Sequence, residues 1–177
     1  CIYIGNHYRI WDVAFPPDTT TEGIHYLAKR ELRDTPVVGA VCRAAKVIFL
    51  DRDGGDVRGL MDALRCLKNG EKIAIYPEGK RNRTEDGELL PFESGAAMLA
   101  IKTRTPVVPI LCYKKTRMFR LNHVVIGEPF ELSEYYGQKL TQELLAEADG
   151  KLRDRLIAMR DEHAKMLEEK KKRKKSK

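Results

Sequence analysis

Apolar positions along the chain come in short runs of two kinds, and the switching between them predicts the elements. Cys1 to Ile4 is an unbroken apolar run that reads as a buried strand closing on Gly5. Ile24 to Ala28 reads as a second strand, and Pro36 opens a helical segment over Val37 to Ala45. Val47 to Leu50, apolar and partly β-branched, predicts a strand running into the turn-rich Asp51 to Asp56. Leu60, Ala63, Leu64 and Leu67 then recur at helical spacing, with Asp56 as the expected N-cap and Gly70 as the stop. Lys72 to Tyr76 alternates as a strand until Pro77, where a polar loop runs on to Phe92. Ser94 is placed to cap a helix through Arg104, and Pro106 to Tyr113 returns to a buried strand. Val124 to Phe130 predicts another strand. From Gln138 onward the pattern is helical, with Leu145, Leu152, Leu156 and Met159 on one face.

Strands separated by helices of about ten residues define an α/β class, with a central, mostly parallel sheet flanked by helices. Composition agrees with one folded domain: 42% of the 177 residues are apolar and 33% charged. No stretch approaches the roughly 18 to 20 consecutive apolar residues of a membrane-spanning helix. The net charge of +7 is unevenly spread. Residues 165–177 hold eight Lys or Arg against two Glu, which is +6, and the first 164 residues are near neutral at +1. The chain therefore divides into a domain over 1–164 and a basic tail over 165–177. Such a tail is usually a solvated, disordered end and less often a docking arm for an anionic partner. Cys1, Cys42, Cys66 and Cys112 stand far apart, with no C-x-x-C pair and no His at ligand spacing. That argues against a zinc site or a disulfide framework and fits a reducing compartment.

Four clusters carry candidate chemistry. Asn6-His7 with Asp12 follows the first strand. A carboxylate bonded to Nδ1–H fixes the imidazole tautomer, leaving Nε2 to take a proton. The chain has three serines and no G-x-S-x-G elbow, so that proton would come from a substrate hydroxyl. A structural hydrogen bond is the commoner fate of such a pair. Phe49-Leu50-Asp51-Arg52 ends another strand, and Arg52 offers a planar fork to phosphate or pairs with a neighbouring Asp. In Tyr76-Pro77-Glu78-Gly79-Lys80-Arg81-Asn82-Arg83, three cations crowd behind a glycine, an arrangement that suits a phosphomonoester or a plain basic surface loop. Val107-Val108-Pro109-Ile110 is by itself core. Lys114 to Arg120 interleaves cations with Met118 and Phe119, as a lipid headgroup region or a solvated loop would accept.

In this order and spacing the clusters resemble the 1-acyl-sn-glycerol-3-phosphate acyltransferases of the glycerolipid acyltransferase superfamily. The likeness runs from about Ile4 to Phe130 through that family's N-H-x4-D, F-x-D-R, P-E-G-T-R and V-x-P-[IV] blocks. Ala28-Lys29-Arg30-Glu31-Leu32, and Pro91-Phe92 through Gly95-Ala96, resemble segments between them. Lys80 replaces the usual Thr, and Arg9 stands where a Ser is frequent. The resemblance implies direct acyl transfer from acyl-CoA or acyl-carrier protein to the sn-2 hydroxyl of lysophosphatidic acid, giving phosphatidic acid. His7 would be the base and Asp12 its orienting carboxylate. Arg81, Arg52 and Lys29 would hold the phosphate, in a loop shaped by Glu78 and Gly79. It implies no metal or tightly bound cofactor, a peripheral or monotopic place on the cytoplasmic face of a membrane, and no nucleic-acid partner. The family's membrane-docking helices would precede Cys1. Other lysophospholipids or glycerol 3-phosphate as acceptor, a thioester hydrolase, and a tail-led module binding anionic lipid or nucleic acid are the alternatives.

Overall fold

The computed structural model describes residues 1–8, 23–44, 46–51, 57–84, 88–93, 95–113 and 124–175. Six strands form one sheet: β1 (Ile2–Gly5), β2 (Ile24–Lys29), β3 (Ile48–Leu50), β4 (Lys72–Ile75), β5 (Val107–Cys112) and β6 (Val124–Ile126). Their spatial order is β3-β2-β4-β1-β5-β6. The first five are parallel and β6 is antiparallel to β5, so the sheet is mostly parallel, as the alternating pattern predicts. The helices are α1 (Pro36–Ala44), α2 (Arg58–Lys68), α3 (Gly95–Thr103) and α4 (Gln142–Lys175).

Burial follows the strand period. Ile2 and Ile4 of β1, Ile73 and Ile75 of β4, and Val107 and Leu111 of β5 enter the main core, where α2, α3 and α4 pack. Tyr3, Ala74 and Val108 point to the opposite face and form a smaller cluster with Tyr26 and Ile110. Helix α3 is apolar nearly all round because it lies between the sheet and both neighbouring helices; Ala96, Ala97, Leu99, Ala100 and Ile101 are all buried. Leu145, Leu152, Leu156 and Met159 of α4 are buried on one stripe, the face read from the sequence.

Helix ends are set by local chemistry. After α2, Asn69 and Gly70 donate to the last carbonyls, and Gly70 leaves the helix with φ +80°. Helix α3 ends at Thr103, one residue short of the predicted end, where Arg104 takes φ +50° and the Thr105 N–H closes on the Ala100 carbonyl. Helix α4 begins at Gln142 rather than Gln138, since Thr141 Oγ1 accepts from the Leu144 N–H and a short 3-10 turn, Ser133–Tyr135, precedes it. The expected caps Asp56 and Ser94 lie outside the described residues.

Two expectations are corrected. The strand expected over Val124 to Phe130 is interrupted: β6 ends at Ile126, the Gly127 N–H still donates to the Pro109 carbonyl of β5, and after Glu128 and Pro129 the chain rejoins it with Phe130 pairing with Val107. The basic end, for which disorder is the commoner fate, is helical through Lys175 and continues the helical pattern read from Gln138 onward. Lys, Arg and Glu are good helix formers, and cations near a helix C-terminus oppose its negative dipole end. Among the described residues no helix is long and apolar enough to cross a membrane.

Candidate active site

Parallel strands put their carboxyl ends on one edge, and this edge collects the predicted clusters. The register pairs Ile4 with Ile75, Gly5 with Ile110, and Lys29 with Leu50. The segments that leave these strands, at Asn6, Tyr76, Tyr113, Arg30 and Asp51, are therefore neighbours although up to 107 residues separate them. In open α/β sheets this edge is where ligands bind.

Asn6 anchors the first segment. Wholly buried, it donates from Nδ2 to the Cys112 carbonyl at 3.0 Å and accepts the Cys112 N–H at Oδ1, 2.8 Å. The exchange mimics a β-ladder pair and locks the exit of β1 to the end of β5. His7 follows, with its main chain clasped on both sides by the segment after β4. Its N–H donates to Glu78 Oε1 at 2.9 Å, and its carbonyl accepts the Asn82 N–H at 2.6 Å. The His7 ring lies 4.8 Å from the Tyr76 ring, centroid to centroid. Gly5 lets the chains approach closely: a Cβ there would stand 3.3 Å from both Tyr76 Cε1 and the Ile110 carbonyl oxygen, so these neighbours would have to give by a few tenths of an ångström. Beyond the imidazole, Tyr8 is buried, and that burial pushes its phenol above the usual range, so it remains a donor at neutral pH.

Glu78 is 1% exposed, and the contacts of its carboxylate define the loop. Besides the His7 N–H, it accepts from Asn82 Nδ2 at 2.8 Å and from the Leu90 N–H at 2.9 Å, both at Oε2. Asn82, equally buried, also donates to the Glu88 carbonyl and accepts the Thr84 N–H at Oδ1 in an Asx turn. Arg153 of α4 seals the outer side, with Nη2 donating to the Leu89 carbonyl at 2.6 Å. The positive φ of Gly79, +66°, turns the chain between Glu78 and the cations, its N–H closing on the Tyr76 carbonyl. Lys80, Arg81 and Arg83 are consequently exposed on the same loop that holds the histidine backbone.

The predicted residues thus separate by role. His7, Gly79 and Arg81 come together around one loop at the carboxyl edge. Glu78 belongs to that loop, but its carboxylate is buried beneath it and its bonds to N–H groups shape the loop. Lys29 is exposed at the end of β2; it and Pro77 both stand three residues beyond the Tyr26–Ala74 pair, so it lies level with the loop. Asp51 is held by Arg30, Nη1 to Oδ2 at 3.0 Å, which ties the F-x-D-R segment to the end of β2. Asp12, Arg52 and the 114–120 segment lie outside the described residues. Sequence reasoning missed the parts played by Asn6 and Asn82. The signal for Asn82 was its N-x-T spacing, which allows the Asx turn.

This fold and edge define a class. A family model described as Acyltransferase matches residues 1–113, and the chain belongs to the acyltransferase family. Its relatives are more particular. It is 33% identical over 114 residues to human 1-acyl-sn-glycerol-3-phosphate acyltransferase beta, covering 63% of this chain and 40% of that protein. It is 30% identical over 155 residues to the 1-acyl-sn-glycerol-3-phosphate acyltransferase of Borreliella burgdorferi, covering 79% of this chain and 61% of that one. The crystal structure of the 1-acyl-sn-glycerophosphate (LPA) acyltransferase PlsC from Thermotoga maritima superposes with a TM-score of 0.61 at 27% identity. That match covers 89% of this chain and 65% of the other. The chain spans 32–40% of the length of the mammalian and plant relatives it matches.

Proposed function

We propose that this chain carries the catalytic core of a 1-acylglycerol-3-phosphate O-acyltransferase. It would move a fatty acyl group from an acyl thioester to the sn-2 hydroxyl of lysophosphatidic acid, with phosphatidic acid as product. The observation that carries the reading is the clasp at the carboxyl edge. Glu78 and Asn82 fasten the His7 backbone to the loop that exposes Arg81, so a candidate base and a candidate phosphate ligand share one rigid support. The relatives' names agree with it.

In the reaction His7 Nε2 takes the proton of the acceptor hydroxyl as its oxygen attacks the thioester carbonyl. The tetrahedral intermediate collapses with loss of the thiol, and the imidazolium returns its proton to the leaving sulfur. Asp12 would orient the ring. Arg81, with Arg52 and Lys29, would neutralise the acceptor phosphate and set its hydroxyl against the base. No step calls for a metal or a resident cofactor.

The test crosses acyl-CoA and acyl-carrier protein with lysophosphatidic acid, glycerol 3-phosphate and a neutral lysolipid. Product should require a phosphate-bearing acceptor, with lysophosphatidic acid preferred, and Arg81→Ala should raise KM for it about ten- to a hundredfold with a smaller change in kcat. Thioester cleavage at full rate without acceptor would instead identify a hydrolase.

Such an acceptor resides in a membrane, and the basic end of α4 supports surface attachment. The described residues Lys170 to Lys174 are exposed on a helix, each cation near an anionic surface contributing about 1 kcal/mol of attraction. Truncation after Met166 should leave turnover on detergent-dispersed substrate unchanged and weaken co-sedimentation with anionic vesicles, most at low salt. Loss of turnover in detergent would assign the end of α4 to the catalytic fold.

A further inference from the structure

The opposite edge of the sheet holds a second cluster that the reaction does not use. His25, near the start of β2, Cys66, in the last turn of α2, and Glu71, just before β4, bring one ligand atom each within 4.8 Å of one another. The group lies roughly 20 Å from the Glu78 loop, counting about 3.3 Å per residue along β4. Its framework is fixed independently of any ligand. The Glu71 and Asn69 N–H groups both donate to the Cys66 carbonyl, at 3.0 and 3.1 Å, so the turn between α2 and β4 presents the thiol and the carboxylate together. His25 arrives from the neighbouring strand, its Nε2 2.7 Å from Glu71 Oε2.

The other side of the ring points to a metal. His25 Nδ1 lies 3.1 Å from the Lys46 carbonyl oxygen, which can only accept. That contact fixes the proton on Nδ1 and turns the Nε2 lone pair toward Cys66 and Glu71, the orientation a backbone carbonyl imposes on most metal-ligating histidines. A carboxylate at Nε2 is also only an acceptor. The ring therefore satisfies both neighbours when a second proton, or a cation, stands between Nε2 and Oε2.

We propose that His25 Nε2, Cys66 Sγ and a Glu71 carboxylate oxygen form a zinc site that pins β2 to the α2–β4 turn. A mixed nitrogen, sulfur and oxygen set is the donor chemistry of Zn²⁺, and a tetrahedral ion with bonds of about 2.0–2.3 Å spaces its ligands about 3.3–3.8 Å apart. Glu71, 41% exposed in its side chain, has room to swing the short Nε2–Oε2 contact out to that spacing. Solvent supplies the fourth position. On binding, the ion replaces the thiol proton, which passes to buffer. With three protein donors and one solvent position the site is open rather than closed, and it joins two elements at the edge away from His7. The spacing of Cys and His along the chain argued against zinc, because His25 stands 41 residues before Cys66 and only strand pairing unites them.

The experiment treats the purified protein with chelator, removes the chelator, and titrates Zn²⁺ and Co²⁺. Zinc should bind one per chain in competition with a chromophoric chelator and raise the urea midpoint. Cobalt should give a thiolate charge-transfer band. Cys66→Ser should abolish the band, and His25→Gln or Glu71→Gln should weaken zinc by at least about tenfold. Cys42→Ser should change none of these. The wild-type cobalt spectrum decides the matter even if a variant folds poorly: saturation without a thiolate band overturns the site. So does zinc binding that is unsaturable or equal in wild type and Cys66→Ser, which would leave His25 and Glu71 as an ion pair.

Discussion

His7→Ala should fold like the wild type and lose turnover by about two to four orders of magnitude, the scale set by removal of a general base. The structure makes this a clean substitution. Both hydrogen bonds that hold residue 7 to the loop, to Glu78 and from Asn82, use its backbone, so alanine keeps them. Among its described contacts, alanine loses the ring contact with Tyr76, worth about 0.5–1.5 kcal/mol. Steady-state turnover with thioester and lysophosphatidic acid, beside a urea unfolding curve, checks both halves. A folded His7→Ala protein with wild-type turnover would remove His7 from the chemistry. An unfolded one would contradict the backbone clasp instead.

The clasp also explains which parts of the site were legible in the sequence. Strand ends and the residues just beyond them are local features: Ile2–Gly5 followed by His7, and Lys72–Ile75 followed by Pro77, announce themselves by pattern. Once the strands are parallel, those exits must share an edge, so the gathering of His7, Arg81 and Lys29 follows from topology. The inner support was not legible. Glu78 stands in a run of polar and charged residues, and nothing nearby marks it as buried. Its partners are the His7 N–H, 71 residues earlier, and the Leu90 N–H, twelve later. A carboxylate in that position reads as part of a candidate phosphate loop until long-range contacts show that it is buried beneath the exposed cations.

Charge misled in the same way. The density of Lys and Arg after 164 favours a disordered end on charge alone, while the helical pattern from Gln138 onward favours a helix, and the residues are good helix formers continuing a helix already nucleated and packed at Leu145, Leu152 and Leu156. Adding one residue to an existing helix is far less costly than starting one. The division of net charge nevertheless matters for function. The near-neutral remainder places a few cations on the Glu78 loop, where they can meet one phosphate. The excess at the end of α4 can meet a surface of many. Two kinds of anion contact are thus separated along the chain.

Glu78→Ala should be the most damaging substitution in the loop, for stability and activity together. It strips partners from three donors at once: the part-buried His7 and Leu90 N–H groups and the buried Asn82 Nδ2. Each orphaned donor costs about 1–3 kcal/mol, and because the three share one acceptor group the losses do not simply add. A net loss of about 3–5 kcal/mol is expected, a large part of the ~5–15 kcal/mol that holds a domain of this kind folded. Glu78→Gln separates the causes. Its amide oxygen can still serve one side of the carboxylate's contacts, but its NH2 group then faces another N–H, donor against donor. Gln should therefore recover part of the stability and leave the backbone of His7 misplaced, so that kcat stays well below wild type in protein that is folded. Urea midpoints and kcat measured on the same preparations distinguish this from direct phosphate binding. A phosphate ligand would show its loss chiefly in KM for the acceptor, with the midpoint unchanged, and that outcome would overturn the buried role. Electrostatics favours the buried role as well, since a carboxylate facing a phosphate adds repulsion that Arg81 would first have to offset.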